Sequence, residues 1–311
     1  MTTFADRART LVVRGGAGAP VVFDLAAGTA HPIADADGWT LQDVSPDGSR
    51  VALTSPMRAV GAVTRNTLRV VDARTRETCW STERGVTHRA RFDAPGRTLL
   101  VEAYNKPLAQ HDAAGGQALR TFAAKHGFLT YGALHPGEDA WYQPLAKGPR
   151  LLRIDLATGA ATEHELPRGG RTPIAEVAVA GGDVLALRAG GALACVSAAL
   201  TEARWHVDLA ALLKERGLSL GGYPALRACG DGSRVCFDAR DPGNEWGCLV
   251  VLGARDGAFE RVIPRERGFG VIASPWGGSQ VLTYNADVVD LATGARAALA
   301  LPGTATATRG P

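Results

Sequence analysis

The pentapeptide Asp-Leu-Ala-Thr-Gly stands at Asp155–Gly159 and again, letter for letter, at Asp290–Gly294. Each copy follows a short apolar run, Leu151–Ile154 in one case and Asp287–Val289 in the other, and precedes an alternating run that ends in Leu-Pro. An Asp at the head of such a turn accepts hydrogen bonds from amides two residues on, and a Gly at its end takes positive φ. Between two β-type runs this pattern closes a β-hairpin over a type I turn with a bulge. The repeat carries the fold, so further copies are expected.

Alignment on that turn gives seven units, opening at Asp24, Asp72, Asp112, Asp155, Ser197, Gly253 and Asp290. A second turn recurs out of phase with the first, as VSPDGSRVAL from Val44, RFDAPGRTLLV from Arg91, ALHPGEDAWY from Ala133, AVAGGDVLAL from Ala178, ACGDGSRVCF from Ala228 and ASPWGGSQVL from Ala273. Each sits between apolar runs. The spacing of roughly 42 to 50 residues is near the period of a four-stranded repeat unit. Two hairpin turns per unit give four antiparallel strands, with the SPDG-like turn joining the first two and the DLATG-like turn joining the last two.

Six units are complete. The first has three strands, at Leu11–Arg14, Val21–Asp24 and about 29–33, but only Thr2–Phe4 precedes them. The C-terminal Thr304–Thr308 is therefore expected to supply the missing inner strand and close a ring, which would hide strand edges that otherwise invite aggregation. SPDGSRVAL followed by a strand and DLATG resembles the repeats of TolB-type and other WD-repeat-like β-propellers over nearly the whole chain. The resemblance implies an all-β, seven-bladed β-propeller of four-stranded antiparallel blades, a single domain over residues 1–311, its ring closed by the C-terminal strand. The Gly-His and Trp-Asp dipeptides of true WD repeats are missing, as is the export signal of the periplasmic TolB type, so no specific role comes with the resemblance. Such propellers host receptors, scaffolds and several enzyme classes.

The 311 residues exceed an average domain, yet all-β propellers often run this long as one. Gly at 38 and Pro at 17, without low-complexity tracts, reflect frequent turns in an ordered chain. The formal charge of +3 is too small to argue for nucleic acid or a membrane surface. No aromatic and basic interleaving suggests a nucleic-acid module. The apolar run after Arg7 and Arg9 is too short for a signal peptide or a membrane helix, and five cysteines without CxxC fit a reducing compartment, so a cytoplasmic location is expected.

Extra length collects in the loops between second and third strands and between blades, which share one face, here called the top. Thr54–Asn66 and Asp238–Gly247 read as long loops, and Asp208–Gly217 as a short helix capped by Asp208, with Leu209, Leu212 and Leu213 on one face. Insertions on one face of a repeat protein are common binding sites. The same face gathers Arg58, Arg65, Lys106, Lys125, Lys147, Arg168, Arg171, Arg188, Arg265 and Arg267, interrupted chiefly by Asp35, Asp37, Asp238, Asp241 and Glu245. Gly precedes an aromatic at Trp39, Phe128, Tyr223 and Phe269, where the chain would turn into the channel; with Trp246 these rings can line a pocket or wedge between blades.

Cys229, Cys236 and Cys248 fall on three strands of the sixth unit. Centring the turns near 232–233 and on Pro242 sets Cys229 opposite Cys236 and Cys236 opposite Cys248, one row of thiols. Such a row suits a metal or a reversible disulfide, but it has no fourth ligand, and small-residue packing explains it better. His88 and Glu176, on inner strands, are the only catalytic candidates, and His135, in place of a turn serine, reads as structural. No GxSxG elbow or phosphate-binding glycine loop is present.

The expected function is a non-catalytic scaffold that binds a protein or peptide partner on the top face through Trp39, Phe128, Tyr223, Phe269, Trp246, Arg65, Arg168 and Arg171. No cofactor and no metal are expected. The alternative is a propeller enzyme, a lyase, hydrolase or isomerase, acting on a small molecule at the channel mouth with residues drawn from several blades.

Overall fold

The computed structural model describes residues 3–5, 10–14, 19–24, 29–61, 63–93, 95–103, 106–125, 132–135, 137–145, 148–166, 172–221, 225–266, 271–273, 279–283 and 287–298. Its strands form seven antiparallel sheets in chain order. The first holds β1 (Thr3–Ala5), β2 (Thr10–Arg14), β3 (Pro20–Asp24) and β4 (Thr29–Pro32). The second holds β5 (Thr40–Val44), β6 (Arg50–Thr54), β7 (Arg58–Val60), β8 (Val63–Asp72) and β9 (Thr78–Gly85). The third runs through β10 (Thr87–Phe92), β11 (Thr98–Ala103), β12 (Pro107–Asp112) and β13 (Ala118–Lys125), the fourth through β14 (Ala133–His135), β15 (Ala140–Pro144), β16 (Arg150–Asp155) and β17 (Ala161–Glu165). The fifth contains β18 (Ile174–Ala180), β19 (Asp183–Arg188), β20 (Ala192–Val196) and β21 (Ala203–Asp208), followed by the helix α1 (Leu209–Lys214). The sixth contains β22 (Ser219–Leu220), β23 (Arg227–Ala228), β24 (Arg234–Asp241), β25 (Asn244–Gly253) and β26 (Phe259–Pro264). The seventh contains β27 (Val271–Ala273), β28 (Gln280–Thr283), β29 (Asp287–Asp290) and β30 (Arg296–Ala298).

The turns form where their residues allow. Asp72 and Asp290 each accept two turn amides on the carboxylate, and Asp155 accepts Thr158 N at 2.7 Å. The fifth residue then bonds back to the first: Arg76, Gly116, Gly159, Gly257 and Gly294 donate to the carbonyls of Asp72, Asp112, Asp155, Gly253 and Asp290. All five lie at φ between 64° and 81°, the left-handed region that Gly enters without steric cost. These amide bonds, from Thr75 to Asp72 and from Thr158 to Asp155, hold both carboxyls below their ordinary 3.8. The other turn is built alike from different atoms. Ser45 Oγ donates to Asp47 at 2.6 Å and accepts Arg50 N at 2.9 Å, while Cys229 Sγ repeats the arrangement on Asp231 and Arg234 N. His135, at the same place, accepts Gly137 N on Nδ1, as its structural reading requires.

The two turns of one sheet are also tied to each other. The residue after the opening Asp or Gly donates its amide to the second strand's threshold, as in Ala73 to Ser49, Ala113 to Arg97, Leu156 to Asp139, Ala254 to Ser233 and Leu291 to Ser279. The repeated motif thus locks register, and register decides which face each side chain occupies.

The core is layered. Six apolar clusters each join one sheet to the next, from Val22 with Leu41 and Leu53 between the first two to Leu249 and Val251 with Val281 and Val289 between the last two. Middle strands are consequently buried on both faces, as β15 is along its whole length, whereas the outer strand β21 alternates between partly buried and exposed. Outer-strand side chains reach across to the next turn: Trp80 Nε1 donates to Ala113 O at 3.0 Å, Arg120 to Leu156 O and Ala157 O, and Trp205 Nε1 to Ala254 O at 2.9 Å. Along the inner edges, β1 approaches β5, β5 approaches β10, β14 approaches β18, β18 approaches β23, and β1 also approaches β27.

Three expectations change. The first sheet has an inner strand of its own, because β1 pairs with β2 from Thr3 opposite Val12 to Ala5 opposite Thr10; Thr304–Thr308 lie outside the described residues. Thr54–Asn66 and Asp238–Gly247 are hairpins rather than loops: β7 pairs with β8, and β24 with β25 up to Asp241 opposite Asn244. The cysteine row does not form. Arg227 faces Cys236 and Ala239 faces Cys248, because the first turn centres one residue earlier than read and, in the second hairpin, residues 245–247 of β25 bulge opposite the single Arg240. α1 is as expected, with Asp208 Oδ1 accepting Ala211 N at 3.1 Å, Leu209 and Leu213 buried, and Gly217 at φ 71° behind it.

Gly257 tests the inter-sheet contact. A Cβ there would lie 2.6 Å from the Trp205 ring, at φ 70°, so Gly257→Ala is expected to cost about 2–5 kcal/mol from strain and overpacking together. Gly217→Ala, also left-handed but with nothing within 4 Å of the new atom, should cost only about 1–2 kcal/mol. Denaturant unfolding of both variants measures the difference, and equal losses would contradict the Trp205 contact.

Candidate functional site

Antiparallel connectivity puts the two repeated turns of every sheet at one end and all other connections at the opposite end. At that second end the hairpins β7–β8 and β24–β25 carry Met57, Val60, Val63 and Trp246, exposed by 66, 43, 50 and 42%. Leu119, on the outer strand β13, is the remaining large apolar side chain exposed among the described residues. Concentration of exposed apolar side chains at one end is informative because scattered ones are ordinary.

The β7–β8 hairpin prolongs its sheet past a break at Ser55-Pro56. Ser55 N donates to Thr67 O and Ser55 Oγ accepts Thr67 N, so the break is bridged and the strand resumes. Its base is fixed by Asn66, which accepts Thr87 N at 2.8 Å and donates to Thr87 O. Arg58 and Arg65, directly opposite each other, both reach Glu83, at 2.7 and 3.7 Å. In the β24–β25 hairpin, Asn244 Nδ2 donates to Gly247 O and Arg265 O, and its Oδ1 accepts Trp246 N. These bonds hold the indole on a fixed backbone. The strand β22 and α1 support this second hairpin from the side, with Leu220 opposite Ala239.

The inner strands carry a second feature, which sequence reading missed. Asp43 on β5 accepts Arg91 Nη1 at 3.2 Å on one oxygen and Phe92 N at 2.8 Å on the other. Glu176 on β18 does the same with Arg227 Nη1 at 2.9 Å and Leu226 N at 3.0 Å. An acid on one inner strand thus clasps an arginine and a backbone amide on the next. Between them, Arg89 donates to Gly132 O at 3.0 Å and Glu102 accepts Gly132 N. Burial pushes the Arg89 guanidinium down to about 10, Arg91 acting in the same direction and Glu102 against it. Burial likewise raises the Asp43 carboxyl, opposed by Arg91, and the Asp238 carboxyl, opposed by Arg265 3.1 Å away. The only sequence signal was an acid followed by Arg 48 positions on at Asp43 and Arg91, and 51 on at Glu176 and Arg227.

The remaining predicted residues are placed as follows. Trp39 packs against the cluster between the first two sheets, with the Arg69 guanidinium 4.2 Å above its ring, which is the wedging position rather than a free channel mouth. Arg188 is not a rim cation: it is buried and donates to Leu166 O. Glu176 accepts one bond on each oxygen from the clasp, Arg227 Nη1 on Oε1 and Leu226 N on Oε2. Phe128, Tyr223, Phe269, Arg168, Arg171, Lys147 and Arg267 lie outside the described residues, as does the side chain of His88. Trp246 and Arg65 are on the hairpin end as expected.

Cys229 and Cys236 pack in the cluster toward the seventh sheet and Cys248 in the cluster toward the fifth. Burial pushes the Cys236 thiol up to about 12 and the Cys248 thiol up to about 11, the environment of inert structural thiols. Among the described residues no three His, Cys, Asp or Glu side chains converge as a metal-ligand set.

No protein-family model matches the chain, and no curated protein matches it. Among solved structures it is similar to the β-propeller domain of Cps50 (Swd1) from Myceliophteria thermophila, with a TM-score of 0.66 over 96% of each chain at 11% identity. At that identity the likeness shows the fold: an all-β propeller of four-stranded antiparallel sheets.

The clasp is testable. Glu176→Ala strands Arg227 and the Leu226 amide in a site where the two charged side chains are 19 and 28% exposed, and should cost about 2–4 kcal/mol. Glu176→Gln keeps acceptors and should cost about half of that. Urea unfolding reads both, and two neutral substitutions would refute a structural role for the pair.

Proposed function

We propose that the chain is a seven-bladed propeller, closed where β1 meets β27, that works in the cytoplasm as a binding scaffold and takes a protein or peptide partner on the end carrying the β7–β8 and β24–β25 hairpins. The observation that carries this reading is the exposure of Met57, Val60, Val63 and Trp246 on two hairpins at the same end of their sheets. The engaged acids support a binding role over chemistry: Asp43 and Glu176 on inner strands and Asp238 on β24 each hold an arginine of their own. Five free cysteines, four of them buried, fit a reducing compartment. The neighbour of like fold is consistent with this role but supplies no partner.

Affinity purification from the native host tests the class of function. A stoichiometric protein partner is expected, with Trp246→Ala and Arg65→Ala each weakening its binding by about tenfold, the range of a modest hot spot, at unchanged melting temperature. A co-purifying small molecule without a protein partner would instead favour an enzyme acting at the channel, and unchanged affinity in both variants would remove the hairpins from the interface.

A further inference from the structure

The two protruding hairpins occupy equivalent places in the second and sixth sheets, and they differ in one respect. In the sixth sheet the extension of β24 is covered: β22 pairs with it, Leu220 opposite Ala239 and Ser219 opposite Arg240. In the second sheet β7 pairs with β8, and among the described residues no other strand pairs with it. Arg58, Ala59 and Val60 are all exposed, and Met57 before them is the most exposed large apolar side chain described. A bare strand edge of this kind is a template for another strand unless it is shielded.

The geometry of the hairpin says which groups are on offer. Val60 and Val63 face each other across a two-residue connection, so they exchange hydrogen bonds and Ala59 turns its N–H and C=O away from β8. Alternate side chains project to opposite faces, which places Val60 with Arg58 on one side and Met57 with Ala59 on the other. Arg58 and Arg65 stand directly opposite, a like-charge pair that is unfavourable by itself. Glu83 offers one carboxylate to both. Two positive charges sharing one negative charge leave this edge suited to an acidic neighbour.

Resting on the scaffold reading above, we infer that β7 is an acceptor strand: an extended segment of a partner, alternating apolar residues with an acidic residue beside Arg58, adds to its free edge as β22 adds to the edge of β24. Main-chain bonds to Ala59 supply register. Contact with Met57 and Val60 and the pairing with Arg58 and Arg65 supply selectivity, the usual division in strand addition.

The test uses the full chain and a displayed library of random peptides of about ten residues, long enough to span such an edge. Enriched peptides should alternate apolar and acidic residues and should slow amide exchange at residues 57–60. Binding should fall at least about tenfold, a loss of about 1.4 kcal/mol, in Ala59→Pro, which removes the outward donor while remaining compatible with an edge strand. N-methylation of alternate amides in the selected peptide should weaken binding equally, and it leaves the protein untouched. Peptides that bind Ala59→Pro as well as the parent but are lost in Trp246→Ala would overturn strand addition and retain a hairpin-end binding site. Peptides indifferent to both variants, or no enrichment, would overturn the inference, and so would concentration-dependent dimers that Ala59→Pro abolishes, which would assign the edge to a second copy.

Discussion

No sheet in this chain can bury itself. Among the described residues the apolar side chains gather in six layered clusters, each between one sheet and the next, in place of a single centre. Everything else follows from keeping neighbouring sheets in register. The left-handed fifth residue of the DLATG-type turn, its bond back to the opening residue and the amide passed to the adjoining turn fix where each strand starts. Trp80, Arg120 and Trp205 then tie one sheet's outer strand to the next sheet's turn. In a stack of this kind stability is close to a sum of units and nearest-neighbour interfaces, which gives the inner-edge clasps at Asp43 and Glu176 a direct role in holding units together.

The turns were legible because their chemistry is local. Asp155, Gly159, Asp290 and Gly294 announce a hairpin by residue type alone, and Ser45 and Asp47 do so for the other turn. The capped helix at Leu209–Lys214 was legible for the same reason. What failed was register across a turn: residues 245–247 of β25 stand opposite the single Arg240, which sets Cys248 beside Ala239 rather than Cys236, a shift by an odd number of positions that exchanges the faces of a strand. Thr54–Asn66 and Asp238–Gly247 read as loops, yet the backbone bridges Ser55-Pro56 in the first and turns tightly at Pro242-Gly243 in the second, and pairing continues on both sides.

The inner-edge acids were less legible still. Asp43 and Arg91, or Glu176 and Arg227, are separated by a whole repeat, and neither partner is unusual in its own strand. Only the stacking of sheets brings them to 3.2 and 2.9 Å. For the candidate site the sequence placed Trp246 and Arg65 at the end opposite the repeated turns, and the structure has both on the hairpins there. It left Trp39 either lining a channel mouth or wedged between sheets, and the structure has the second, with the ring beneath Arg69 and against the core.

With a repeated scaffold at one end and irregular hairpins at the other, the β7–β8 hairpin should be expendable for the fold and required for binding. Residues 57–65 replaced by a two-residue turn would leave the bridge between Ser55 and Thr67 and the cluster below it intact. Titration of the purified partner against this shortened chain, with its melting temperature recorded alongside, is the most direct measurement. The account predicts a melting temperature within a few degrees of the parent, corresponding to less than about 1 kcal/mol, with binding weakened at least about tenfold. A shortened chain that binds as tightly as the parent, or one that fails to fold, would contradict it.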